Sequence, residues 1–205
     1  MTSNRYPIPA ETTRVESEVS RSRFIATIGY ADSTDMARAF LTSTRTEFAD
    51  ASSHIYAYKI GYASSTIESM SDGGEPTGTA GPPVLAVIHH ANVGDVVITV
   101  ERYFGGIKLG TGGLVRAFGD AARAALASLP IREKIATRQV GLTLAYPLYE
   151  RAKLLIAAHN GVIDSEEFDA DVTLYITLPL DDLAGFSAAI TDLSAGRVTP
   201  LLLDS

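Results

Sequence analysis

A mostly apolar strand, five glycines within nine residues and a long amphipathic helix follow one another between Val93 and Leu129. No other feature limits the fold as strongly. The strand, VGDVVITVERYF, is apolar through its middle, which marks it as buried. Leu114, Ala117, Phe118, Ala121, Ala125 and Leu129 then trace one helical stripe, with Arg116, Asp120 and Arg123 on the opposite face. The spacing predicts a helix from about Gly113 to Leu129, closed by Pro130.

Other elements fall into place around this succession. Residues 14–19 and 23–30 read as a strand hairpin, and HIYAYKIGY and STIESM as two further strands. ADSTDMARAFLTSTRTEF reads as a helix with Met36, Phe40, Leu41, Thr44 and Phe48 on one face and Asp32 or Ser33 at its start. SDGGEPTGTAG, residues 71–81, is too glycine-rich for a regular element, and PPVLAVIHHA opens a helix on Pro82. Residues 138–205 run strand, helix, strand, strand, helix, strand, the split βαβ order of ferredoxin-like domains. With residues 130–138 as a linker, the expectation is an α+β protein of two domains, 1–134 and 135–205.

Composition excludes several functions. Zero cysteines rule out disulfides, thiolate metal sites and a thiol nucleophile. No apolar run reaches membrane-span length, and MTSNRYPIPAETTRVESEV has no apolar core of a secretory signal, so a cytoplasmic protein without membrane contact is expected. The net charge of −7 argues against a generally basic surface, yet it is unevenly shared. Residues 1–134 hold 13 basic and 14 acidic side chains; residues 135–205 hold 4 and 10. A local basic patch is therefore available only to the first half, where residues 101–123 carry four Lys/Arg against two acids.

The loop at 105–113 joins a strand to a helix N-terminus through Gly105, Gly106, Gly110, Gly112 and Gly113. Such a junction offers unpaired N–H groups and the positive end of a helix dipole to an anion, and Arg102, Lys108 and Arg116 add charge. The known nucleotide fingerprints do not fit, since Lys108 precedes Leu109 and Val115 stands where a third glycine belongs. A turn that merely needs glycine is the alternative. The loop at 71–81 places Asp72, Glu75, Ser71, Thr77 and Thr79 on glycine-rich backbone. Those groups can orient a polar ligand, bond to the loop's own N–H groups, or pair with Lys108 or Arg102 and neutralise them. Their spacing matches no calcium loop, and His54, His89, His90 and His159 lack metal-site spacing, so neither metal nor cofactor is expected. No nucleophile motif appears. Tyr56, Tyr58 and Tyr62 can stack on bases or line a half-buried sheet.

SDGGEPTGTAG followed by RYFGGIKLGTGGLVRAF resembles the signature of the IMPACT/YigZ family, and the RSRFI and SHIYAYKIG stretches extend the likeness. The resemblance implies an N-terminal domain of the ribosomal protein S5 domain 2-like type and a ferredoxin-like C-terminal domain, both similar to the C-terminal domains of elongation factor G. It also implies a role beside translation, as eukaryotic members restrain a kinase directed at an initiation factor by binding a partner protein. Two departures favour binding over catalysis. Gly73 stands where the family usually has a second aspartate, and Ser53 stands where it often has histidine, with His54 beside it. The expectation is a non-catalytic, translation-associated protein contacting RNA, the ribosome, a translation-regulatory protein or another acidic protein surface. Its ligand-binding residues would be Asp72, Glu75, Thr77, Thr79, Arg102, Tyr103, Gly105, Gly106, Lys108, Gly112, Gly113 and Arg116. The alternative is a small enzyme acting on a phosphorylated metabolite between the two glycine loops.

Overall fold

The first described strand, β1 (Arg5–Pro9), carries two prolines, and the hairpin β2 (Thr13–Val19) and β3 (Ser22–Tyr30) follows it. The computed structural model describes residues 4–62 and 65–203. Next come α1 (Thr34–Glu47), β4 (Ser53–Tyr62), β5 (Ser65–Ser71), α2 (Gly81–His89), β6 (Val96–Tyr103), α3 (Gly110–Ser128) and β7 (Ile131–Ile135). Ser33 caps α1, its Oγ accepting the Met36 N–H at 3.2 Å. Pro82 and Pro83 fall in the first turn of α2, where no intrahelical N–H bond is lost. The third helix begins three residues before the predicted Gly113. Leu109 packs on the core and fixes its first turn despite the glycines.

Five strands form one antiparallel sheet in the order β2-β3-β6-β4-β5. β6 is central and buried along nearly its whole length, as its apolar run requires. One face packs Phe24, Ile28, Ile55, Ile98 and Val100 against α2 and α3. There Phe118 meets Phe24 edge to face, ring centres 5.1 Å apart. The other face carries α1 through Ala37, Phe40 and Leu41, packed with Ile60 and Val97. Met36, expected on this buried stripe, is instead exposed.

The predicted linker at 130–138 does span the boundary between the two units, but it is structured. β7 pairs with β1, and Lys134 reaches the buried Asp95 carboxylate at 2.6 Å. Asp95 also accepts from Tyr6 at 2.9 Å and from the Gly61 N–H at 2.7 Å, so the two-stranded ribbon is fastened to the sheet. Contacts divide the chain into Met1–Lys134 and Ile135–Ser205.

The second unit contains β8 (Thr137–Leu144), α4 (Tyr146–Ala158), β9 (Val162–Phe168), β10 (Val172–Pro179), α5 (Leu183–Leu193) and β11 (Leu201–Leu202). Its antiparallel sheet has the order β11-β8-β10-β9. Both the element order and the strand order are those of the split βαβ arrangement. Every second residue of β10 is buried against a core that includes Leu142, Ile156 and Phe186. α4 stops where Asn160 takes a left-handed φ of 55° before Gly161. The predicted strand RVTPLLLDS shrinks to two residues, since Pro200 has no N–H for the ladder. Asp204 and Ser205 lie outside the described residues, as do the first three of the N-terminal stretch. Among the described residues no helix is long and apolar enough to cross a membrane.

Candidate functional site

The loop between β5 and α2 uses its polar groups on itself. Asp72 accepts the N–H groups of Gly78 (2.9 Å), Ala80 (3.0 Å) and Gly81 (2.9 Å), the last two at the start of α2. Burial pushes this carboxyl up, but the three N–H bonds outweigh burial and hold it below the usual aspartate value. Thr79 is buried and donates to the Pro76 carbonyl at 2.6 Å. Thr77 is exposed. Gly73 has a φ of 56°, and a Cβ there would stand 2.0 Å from the His54 carbonyl oxygen. No side chain has room at this position on this backbone. We predict that Asp72→Ala lowers stability by about 1–2 kcal/mol, from the lost cap of α2. Urea denaturation of the full chain checks it.

Glu75 turns inward. It accepts from Ser53 Oγ at 2.6 Å and from Arg102 Nη1 at 2.8 and 2.9 Å, so a buried ion pair ties the first glycine loop to the end of β6. Arg102 Nη2 reaches Ser22 Oγ at 3.3 Å, and the rings of Phe104 and Phe24 lie 5.4 and 5.7 Å from its guanidinium carbon. Only 6% of Arg102 is exposed. The sequence expectation that Arg102 faces a ligand is therefore corrected: the alternating pleat of β6 turns it into the α2–α3 side of the sheet, where Glu75 neutralises it. Ser22 and Ser53, absent from the sequence expectations, complete this cluster. Ser53, the first residue of β4, pairs with Arg102 in the sheet register, a distant pairing that no local pattern marks.

Around the second loop, Tyr103 donates to Asp50 at 2.7 Å, which pushes its phenol up, and its ring lies under Arg23. Gly105 approaches the β2–β3 turn so closely that a Cβ would stand 2.0 Å from the Arg21 carbonyl. Its N–H, and that of Phe104, are held by Ser22 Oγ (3.2 Å) and Ser52 Oγ (3.1 Å). Past this anchor the surface is open. Phe104, Gly106, Ile107, Lys108, Gly110, Thr111, Gly112, Val115 and Arg116 are exposed, and Gly113 is partly so. No side chain caps the start of α3. Among the described residues, Lys108, Arg116 and Arg21 make no ion pair.

The remaining candidates are accounted for locally. His89 Nδ1 lies 2.9 Å from Glu68, and the rings of His159 and Phe186 meet edge to face. Tyr56 and Tyr58 stack on each other, Tyr62 on Tyr6, and Tyr62 also bonds to Asn92. Among the described residues no three His, Cys, Asp or Glu gather as metal ligands would.

These features define a two-unit α+β protein. Its first glycine loop is tied to the end of β6 by a buried Glu–Arg pair, and an uncapped helix start stands at the surface. Residues 20–126 match the Impact N-terminal domain, and residues 142–197 match a domain of unknown function (DUF1949). The chain is 36% identical over 198 residues to the IMPACT family member YigZ of Escherichia coli (strain K12), covering 96% of this chain and 97% of that one. It is 28% identical over 179 residues to the IMPACT family member YvyE of Bacillus subtilis (strain 168), covering 87% and 82%. A crystal structure of a hypothetical protein, 36% identical, superimposes with a TM-score of 0.76 over 100% of this chain and 99% of that one. The chain belongs to the IMPACT family.

Proposed function

We propose that this IMPACT-family protein is a non-catalytic, translation-associated binding protein whose first unit contacts RNA through the loop at 104–116. The observation that carries the reading is the start of α3: exposed, uncapped and flanked by the unpaired cations Lys108 and Arg116. Free N–H groups and the helix dipole favour phosphate there. Arg21, brought alongside by the Gly105 contact, adds a third cation. The half-exposed Phe104 ring offers a stacking surface to an unpaired base. Family membership supports the translation setting. The enzymatic reading has lost its carboxylates, because Asp72 is engaged by three backbone N–H groups and Glu75 by Arg102.

The test is binding to ribosomes and to a structured RNA across a salt series. Binding weakens steeply with salt, and Lys108→Ala reduces the slope of log K against log salt by roughly one. Binding that is absent, that does not respond to salt, or that survives nuclease treatment as a protein contact overturns the reading.

A further inference from the structure

On the opposite face of the sheet from that loop, α1, β4, β6 and the first glycine loop enclose a pocket of about 500 Å³. Neighbouring residues of a strand point to opposite faces, so Arg102 lies among the α2–α3 core while Glu101 points into this pocket. The floor is polar and incompletely satisfied. Glu101 is 1% exposed and Thr99 3% exposed; the Thr99 hydroxyl and the Glu101 N–H lie near the carboxyl, but Glu101 Oε2, Thr99 Oγ1 and His54 Nδ1 are buried with no well-formed hydrogen bond. Unpaired buried polar atoms are rare in folded proteins and call for an explanation. The walls add the apolar Leu41 and the Tyr56 ring, with Thr42, Thr44 and Ser71 between them. Volume and lining suit a small ligand with an apolar body and a few polar anchors.

The donor and acceptor balance selects the ligand. With Glu101 ionised, all three of these atoms can accept a hydrogen bond. Burial and the neighbouring Arg45 hold the His54 imidazole below its usual value, so it is neutral near pH 7. Burial raises Glu101 to about 7, so its carboxyl is readily ionised by a cation, while an anion gains nothing from it in either form. A donor-rich cation answers all three atoms. We propose that this pocket binds a small organic cation, of the amidinium or primary-amine class, whose N–H groups bond to Glu101, Thr99 and His54. Arg45 lies at the solvent mouth. Arg14 is neutralised by Glu47 in a two-fold hydrogen-bonded pair, which leaves Glu101 to set the sign of the floor.

Benzamidine is the probe, with benzamide and benzoate as neutral and anionic controls of the same shape. Calorimetric or NMR titration of the full chain should show benzamidine binding at least roughly tenfold more tightly than benzamide, and no binding of benzoate. Glu101→Gln should remove roughly tenfold or more of that affinity, and Thr99→Val should weaken it separately. Affinity should rise between pH 6 and pH 8 as Glu101 ionises. The groups facing Glu101 are Arg14, Glu47, Arg45 and His54, whose imidazole is held below its usual value by burial and Arg45. The proposal is overturned if benzamidine shows no saturation up to about 10 mM, if benzamide or benzoate binds equally well, or if folded Glu101→Gln binds benzamidine like the parent. RNA binding and its Lys108 dependence are read separately, so either idea can fail alone.

Discussion

Arg102→Ala is expected to lower the stability of the first unit by about 3–5 kcal/mol, because it strands the Glu75 carboxylate beneath the loops with its charge uncompensated. Both side chains of the pair are only 8% exposed, so water cannot take over the lost partner. Phe24 and Phe104 lose the cation between them as well. Replacing both members, as Arg102→Met with Glu75→Leu, should recover much of the loss, because apolar groups of similar volume carry no stranded charge. Urea denaturation of the full chain measures it: the transition of the first unit moves and that of the second stays. A shift below about 1 kcal/mol would mean that the pair behaves as a surface ion pair does.

The second large effect is a pH dependence. Burial raises the Glu101 carboxyl from 4.5 to about 7. Its folded-state value lies above its unfolded one, so the folded chain holds a proton that the unfolded chain has released. Stability from this group is complete below pH 4.5, falls as pH rises, and levels off above about pH 7. The drop amounts to about 3 kcal/mol. Glu101→Gln cannot titrate, so the difference between the parent and this variant isolates the group. The variant should gain on the parent steadily from pH 4.5 to pH 7. Parallel stability curves would show that the Glu101 carboxyl is solvated rather than enclosed. A bound organic cation should flatten the parent's curve, because it favours the ionised carboxylate in the folded state.

Much of the architecture was legible because it is written in local periodicity. The stripe from Leu114 to Leu129 places α3, and alternating burial together with element order places the second unit. What escaped depends on partners far away in sequence. β1 and β7 are each five residues long and stabilised by pairing across more than a hundred positions, and no local pattern marks such a ribbon. The site was legible in part. Lys108, Gly112 and Arg116 stand at the surface, as a glycine junction before a helix implies. Arg102 misled because a cation beside glycines reads as a ligand contact until the pleat decides which way it points. For the same reason Glu101 drew no notice: at the end of an apolar strand it looks like the first solvated residue, yet α1 and the loop cover it.

Adjacent residues 101 and 102 send opposite charges to opposite sides of the sheet, in the rows Ile25–Glu101–His54 and Phe24–Arg102–Ser53. A slip of β6 by one position in one direction would carry the acid toward Glu75, and in the other would carry the guanidinium toward the Arg14 and Arg45 side, setting like against like in either case. The doublet thus acts as a ratchet tooth for strand alignment: mispaired sheets are penalised during assembly by repulsion, on top of the misplaced apolar side chains.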